Sequence, residues 1–217
     1  MRLALTLATS VLLAIPLAAQ QEKDPDQKVK GGGKFPPGWA VRLDKADAGI
    51  DNVKFEPMGA GLHTTTGPAV ILWREANNVS GNYHVVATFT QVKAPTHPEA
   101  YGLFIAGKDL NGEGQAYTYF LVRGNGMFLI KKRTGTTTAN VTEGWKASEA
   151  VVKQDATSGK ASNKLEISVT GTKVTFSVNG TEVHSMEAPA GSLDGVAGLR
   201  VNHNLDVHVE GFGVHKM

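Results

Sequence analysis

Leu165-Glu-Ile-Ser-Val169, a turn at Gly171, Val174-Thr-Phe-Ser-Val178, Asn179-Gly180, Thr181-Glu-Val183 and then Gly195-Val-Ala-Gly198-Leu-Arg-Val201 place apolar residues at every second position. That period belongs to half-buried strands. Asn-Gly between two such runs signals a tight hairpin, because a type I′ turn needs positive φ at both central residues. The block reads as consecutive antiparallel strands.

Working outward, the same signature recurs at 51–57, 61–66, 69–75, 82–92, 100–107, 115–123, 127–133, 164–170, 173–178, 181–187, 196–202 and 205–214. Gly59-Ala-Gly61, Gly67-Pro68, Ser80-Gly81 and Gly124-Asn-Gly126 punctuate the series. Trp39, Val41 and Leu43 alternate with Arg42 and Asp44, as a first strand would. Residues 134–162 read as one or two short strands and a polar loop. No amphipathic helix and no fixed-period repeat stands out. Many short strands at this spacing predict a sandwich or a barrel.

The chain has 217 residues, of which 41% are hydrophobic and 19% charged, enough for one all-β domain with a real core. Its 25 glycines suit many tight turns. The formal net charge is +2, and +1 without Arg2, so nothing electrostatic points to nucleic acid.

Residues 1–19 read as a signal peptide: Arg2, a short apolar run from Leu3 to Leu17, and Leu17-Ala18-Ala19 as a cleavage site. The alternative is an uncleaved anchor. No later stretch approaches about 18 apolar residues, so the mature chain is expected to be exported and to lack a membrane span. Residues 20–37 are polar and Gly/Pro-rich and read as a flexible leader. The domain is expected over 38–217. The chain has no cysteine, which excludes disulfides, thiolate metal sites and a Cys nucleophile.

Several central strands are apolar at both parities, as in Tyr101-Gly-Leu-Phe-Ile-Ala106 and Tyr117-Thr-Tyr-Phe-Leu-Val122. One face must pack in the core. The other is either covered or a groove, and contiguous apolar surface usually marks a contact site.

Lys164 to Val183, Asp194-Gly-Val-Ala-Gly-Leu-Arg-Val201, Asp206-Val-His-Val-Glu-Gly-Phe-Gly-Val214, Tyr101-Gly-Leu-Phe-Ile and Tyr119-Phe-Leu-Val-Arg-Gly-Asn-Gly126 together resemble the concanavalin A-like (laminin-G-like) superfamily. The chain is similar to exported bacterial domains of 3-keto-disaccharide hydrolase-like type over residues 38–215. The resemblance implies an all-β fold, an antiparallel two-sheet jelly-roll sandwich with one convex and one concave sheet. It implies carbohydrate or a related glycoconjugate as partner, on the concave face or its rim loops. It does not fix an activity, since such folds host many.

If Thr118, Phe120 and Val122 face the core, then Tyr117, Tyr119, Leu121 and Arg123 face the groove. By the same resemblance Phe104 and His84 would join them. Aromatic rings suit the C–H face of a sugar, and Arg donates several hydrogen bonds. The opposite parity would make the tyrosines core. Trp73 and Trp145 are further candidates that packing explains equally well.

Glycan hydrolysis would need two carboxylates about 5–9 Å apart. The Glu-x-Asp-x-x-Glu string of β-glucan-cleaving relatives is absent. Glu75, His84, Asp206 and Glu210 are the residues that an enzymatic alternative, a hydrolase or lyase acting on a modified glycoside, would have to use. Asp206, His208 and Glu210 alternate on the last strand and read more simply as a solvated edge. Asp109-Leu-Asn-Gly-Glu-Gly114 resembles half of a calcium loop, but Phe120 stands where the bidentate Glu belongs. It reads as a connector, with calcium left open. The histidines show no metal-ligand spacing, and no other cofactor is expected. A structural or adhesive cell-surface domain is the remaining alternative.

Overall fold

A computed structural model describes residues 24–217, so the expected signal lies outside the described residues. At the hairpin between Lys173–Val178 and Thr181–Glu187, Asn179 and Gly180 have φ of 51° and 83°, the left-handed pair that a type I′ turn requires. Asn179 is also tied down. Its Oδ1 accepts from the Lys164 backbone N–H at 2.8 Å, and its Nδ2 donates to the Ala150 carbonyl at 2.8 Å.

Among the described residues fifteen strands follow in order: β1 (Ala40–Leu43), β2 (Val53–Met58), β3 (Gly61–Thr66), β4 (Val70–Val79), β5 (Tyr83–Gln91), β6 (Ala100–Lys108), β7 (Ala116–Arg123), β8 (Met127–Thr134), β9 (Thr137–Asn140), β10 (Lys146–Ala147), β11 (Ala161–Thr170), β12 (Lys173–Val178), β13 (Thr181–Glu187), β14 (Gly195–Val201) and β15 (Asp206–Lys216). One turn of 3-10 helix, Ile50–Asn52, precedes β2. Among the described residues no helix is long and apolar enough to cross a membrane.

The strands form two antiparallel sheets. Sheet 1 runs β1-β4-β14-β6-β7-β8-β10, with β9 also paired to β8; sheet 2 runs β13-β12-β11-β5-β15-β3-β2. The polypeptide crosses between sheets rather than completing one before starting the other, which is the jelly-roll pattern.

Alternate residues of the two sheets meet in one core. Phe120 of β7 packs edge-on against Phe176 of β12 at 5.4 Å, and Phe89 of β5 stacks on Tyr101 of β6 at 5.5 Å. Each such fully buried ring contributes about 1.5–3 kcal/mol by leaving water. With no disulfide, this packing is what holds the sheets together.

Two expectations change. The segment 24–36, read as a flexible leader, is instead laid against the sandwich. Gln27 donates from its side chain to the Thr66 carbonyl at 2.7 Å, Gly33 N–H donates to the Val53 carbonyl at 2.9 Å, and Phe35 packs on the core. Polar and Gly-rich composition marked the absence of regular structure, not the absence of contacts. Second, β15 is no edge. It lies between β5 and β3, and its outward charged row stands mid-sheet.

Candidate functional site

The parity of β7 decides the site. Phe120 and Val122 point into the core between the sheets, so Tyr117, Tyr119 and Leu121 point to the opposite face of sheet 1. There they join Ile71 and Trp73 of β4, Phe104 of β6 and Val196 of β14 in a second apolar cluster. The strand register aligns Trp73, Gly198, Phe104, Tyr119 and Lys131 in one transverse row over five neighbouring strands. Phe104 lies 5.2 Å from Tyr117, which lies 5.6 Å from Tyr119. Gly198 is required here: a Cβ would come within 2.5 Å of both the Phe104 ring and the Leu72 carbonyl oxygen.

A charged network is built into the same face. Arg200, 6% exposed, points outward from β14 between Leu199 and Val201 of the core. Its two terminal nitrogens donate to the two oxygens of Asp44 at 2.9 and 2.6 Å. Its guanidinium lies 4.8 Å from the Tyr119 ring centre, and Nη1 also donates to the Tyr117 hydroxyl at 3.2 Å. Arg133 of β8 approaches Asp44 at 3.3 Å. Burial pushes the Asp44 carboxyl up, but the Arg200 hydrogen bonds and the charges of Arg200, Arg133 and Arg42 outweigh it, leaving it below the ordinary aspartate range. Burial pushes the hydroxyls of Tyr117 and Tyr119 up, and Arg200 opposes this only in part. Both tyrosines therefore stay protonated as hydrogen-bonding phenols.

Of the residues singled out in the sequence, the structure brings Tyr117, Tyr119 and Phe104 together, with Trp73 beside them. Arg123 closes one end. It stacks on Trp145 at 4.0 Å and donates from Nε to Asn125 Oδ1 at 3.0 Å, and Trp145 packs on the outer cluster. His84 does not join. It points outward between core residues Tyr83 and Val85, but β5 belongs to sheet 2. His84 therefore stands on the far side of the sandwich, its ring 4.8 Å from His215.

Arg200, Asp44 and Arg133 were missed. The available signal was a lone arginine in the otherwise apolar run Gly198-Leu-Arg-Val201.

The other polar groups have local partners. Glu75 accepts from the Trp73 indole at 2.8 Å on sheet 1, whereas Asp206, Glu210 and His84 lie on sheet 2. Asp206 pairs with His63 at 2.7 Å, and that hydrogen bond holds its carboxyl below the ordinary range against partial burial. Glu210 lies 3.7 Å from His208. The Asp109 loop is closed from within: Asp109 accepts from the Gly114 N–H at 2.9 Å, and the Leu110 and Gly112 carbonyls accept from Arg42 at 2.8 and 2.6 Å. Asp24, Glu99 and His203 bring three donor atoms within 4.8 Å of one another. With His203 Nε2 at 2.7 Å from Glu99 and Nδ1 at 3.2 Å from Asp26, the cluster fastens the leader to the β14–β15 turn.

The architecture is an antiparallel two-sheet jelly-roll sandwich. No family model and no curated protein matches the sequence. Solved structures do match. The carbohydrate-binding module CBM66 from Bacillus subtilis superposes with a TM-score of 0.58 at 10% identity, covering 82% of this chain and 96% of that one. A protein of unknown function with a galectin-like fold from Bacillus subtilis gives 0.56 at 14%, covering 82% and 89%. Alginate lyase A1-II′, of polysaccharide lyase family 7, gives 0.54 at 13%, covering 82% and 95%. At these identities the likeness is one of fold.

Proposed function

We propose that this protein is an exported domain that binds carbohydrate non-covalently on the outward face of sheet 1. The observation that carries the reading is the aromatic cluster of Trp73, Phe104, Tyr117 and Tyr119 on the outer side of sheet 1, with Arg200 and Arg133 in the same patch; the four rings are at most 5% exposed, so a sugar would reach them only by displacing the side chains that cover them. Aromatic faces pack against the apolar face of a pyranose, and guanidinium groups supply donors in a fixed fork. A carbohydrate-binding module and an alginate lyase among the structural neighbours support the choice of ligand class. The apolar run before residue 20 supports export.

The hydrolase or lyase reading draws less support, because its four suspected residues are split between the outer faces of opposite sheets. Titration calorimetry against a panel of soluble polysaccharides tests the binding reading. At least one should bind, and Tyr119→Ala should weaken it about tenfold, equivalent to ~1.4 kcal/mol. Unchanged affinity in a folded Tyr119→Ala protein, or no binding by the parent, would reject it.

A further inference from the structure

We infer that the glycan taken by this face is acidic, bearing carboxylate or sulfate groups. This rests on the proposed function and narrows it. By strand parity the outward positions of sheet 1 present Arg42, Arg123, Lys131, Arg133 and Arg200, whereas the carboxylates among them and at the end of β1 are Asp44 and Glu75. Five cations thus face two carboxylates on these strands, with Glu99 just before β6 acting on Arg123 as well.

The arginines are also held in ways that leave their charge in place. Arg42 spends its donors on neutral carbonyls, and Arg133 Nε donates to the Gly135 carbonyl at 3.1 Å. Asp44 is shared between Arg200 and Arg133, so one carboxylate answers two guanidiniums. Arg200, nine-tenths buried, keeps an Nε–H with no partner. Buried donors are ordinarily satisfied, and an orphan calls for an acceptor. Lys131 stands across from the buried Tyr119 in register, which sets a further, partly exposed cation over the patch. Focused positive potential beside aromatic platforms favours an anionic sugar over a neutral one.

The test compares polyuronates and sulfated polysaccharides with their carboxyl-reduced and desulfated counterparts, by calorimetry at low and physiological salt. At least one acidic polymer should bind, and removing its anionic groups should abolish or sharply weaken binding. Arg133→Gln and Lys131→Gln should each lower affinity about tenfold. Lys164→Gln, on the outward face of sheet 2, should not. The carboxylate and sulfate arms identify which anion is read. Equal binding of the uncharged counterparts would overturn the inference while leaving carbohydrate binding standing. So would equal losses in all three variants, since the effect would then be diffuse charge. No binding in either set would remove both.

Discussion

Arg200 and Asp44, 156 positions apart in the chain, form a two-armed ion pair at 2.9 and 2.6 Å that joins β14 to the end of β1 across the intervening β4. The pair lies against Tyr119 and beneath the hydroxyl of Tyr117, so the charged network and the aromatic platform are one construction. Burying two charges is costly unless they pair with good geometry, and here both terminal nitrogens of Arg200 reach the Asp44 oxygens.

Removing one member should therefore be worse than removing both. Asp44→Ala leaves the buried Arg200 charge without its counterion, and a loss of about 3 kcal/mol is expected, at the low end for a buried pair because Asp44 keeps 27% side-chain exposure. Arg200→Met combined with Asp44→Ala should recover a large part of that loss. Urea unfolding of the single and double variants measures the coupling.

Acid should weaken the fold through specific carboxylates. At Asp206 the His63 hydrogen bond is the largest influence and lowers the carboxyl; at Asp44 burial is the largest and raises it, but Arg200 overrides it. Both groups end below their unfolded value of about 3.9. Their stabilisation is present above that pH and is lost as pH falls through the lower folded values. Asp206→Asn should thus reduce stability at neutral pH, by on the order of 1 kcal/mol given its partial exposure, and should flatten the decline between about pH 5 and 2. Melting temperature against pH for parent and variant checks this.

Gly198→Ala should act on the site more than on the core. The new methyl group would meet the Leu72 carbonyl oxygen and the Phe104 ring, so β14 must shift against β4 and the ring must move or tilt away from Tyr117. Overpacking of this kind costs about 1–3 kcal/mol. Glycan affinity should fall further than an equally destabilising core change such as Ile167→Val would make it. Calorimetric affinities for the two variants, with their unfolding midpoints, separate the effects.

At the 179–180 hairpin, Asn179→Val would force a β-branched residue to φ near 51° and delete the Asn179 bonds to Lys164, Ala150 and Asn163. The expected cost is about 2–3 kcal/mol. A loss under half of that by thermal unfolding would mean the turn does not set the register of β12 and β13.

Much of the fold was legible because period two reports which way a side chain points. The alternation at Tyr117, Thr118 and Tyr119 put Tyr117 and Tyr119 on one face but left open which face, and Asn179-Gly180 identified its turn. The same period says nothing about which sheet a strand joins, and the resemblance put His84 with the sheet 1 residues although β5 lies in sheet 2. The Arg200–Asp44 pair was beyond reach for another reason: it depends on β14 returning to lie beside β4, a long-range pairing with no local trace. The leader was misread because composition reports regular structure better than it reports contacts such as Gln27 to Thr66.

The most direct measurement is amide chemical-shift mapping of the protein titrated with a bound oligosaccharide. The account predicts shifts confined to sheet 1, centred on β14, β6, β7 and β8 around Arg200, Phe104, Tyr119 and Lys131. Shifts centred instead on β5, β11 and β15 around His84 and His208 would contradict it.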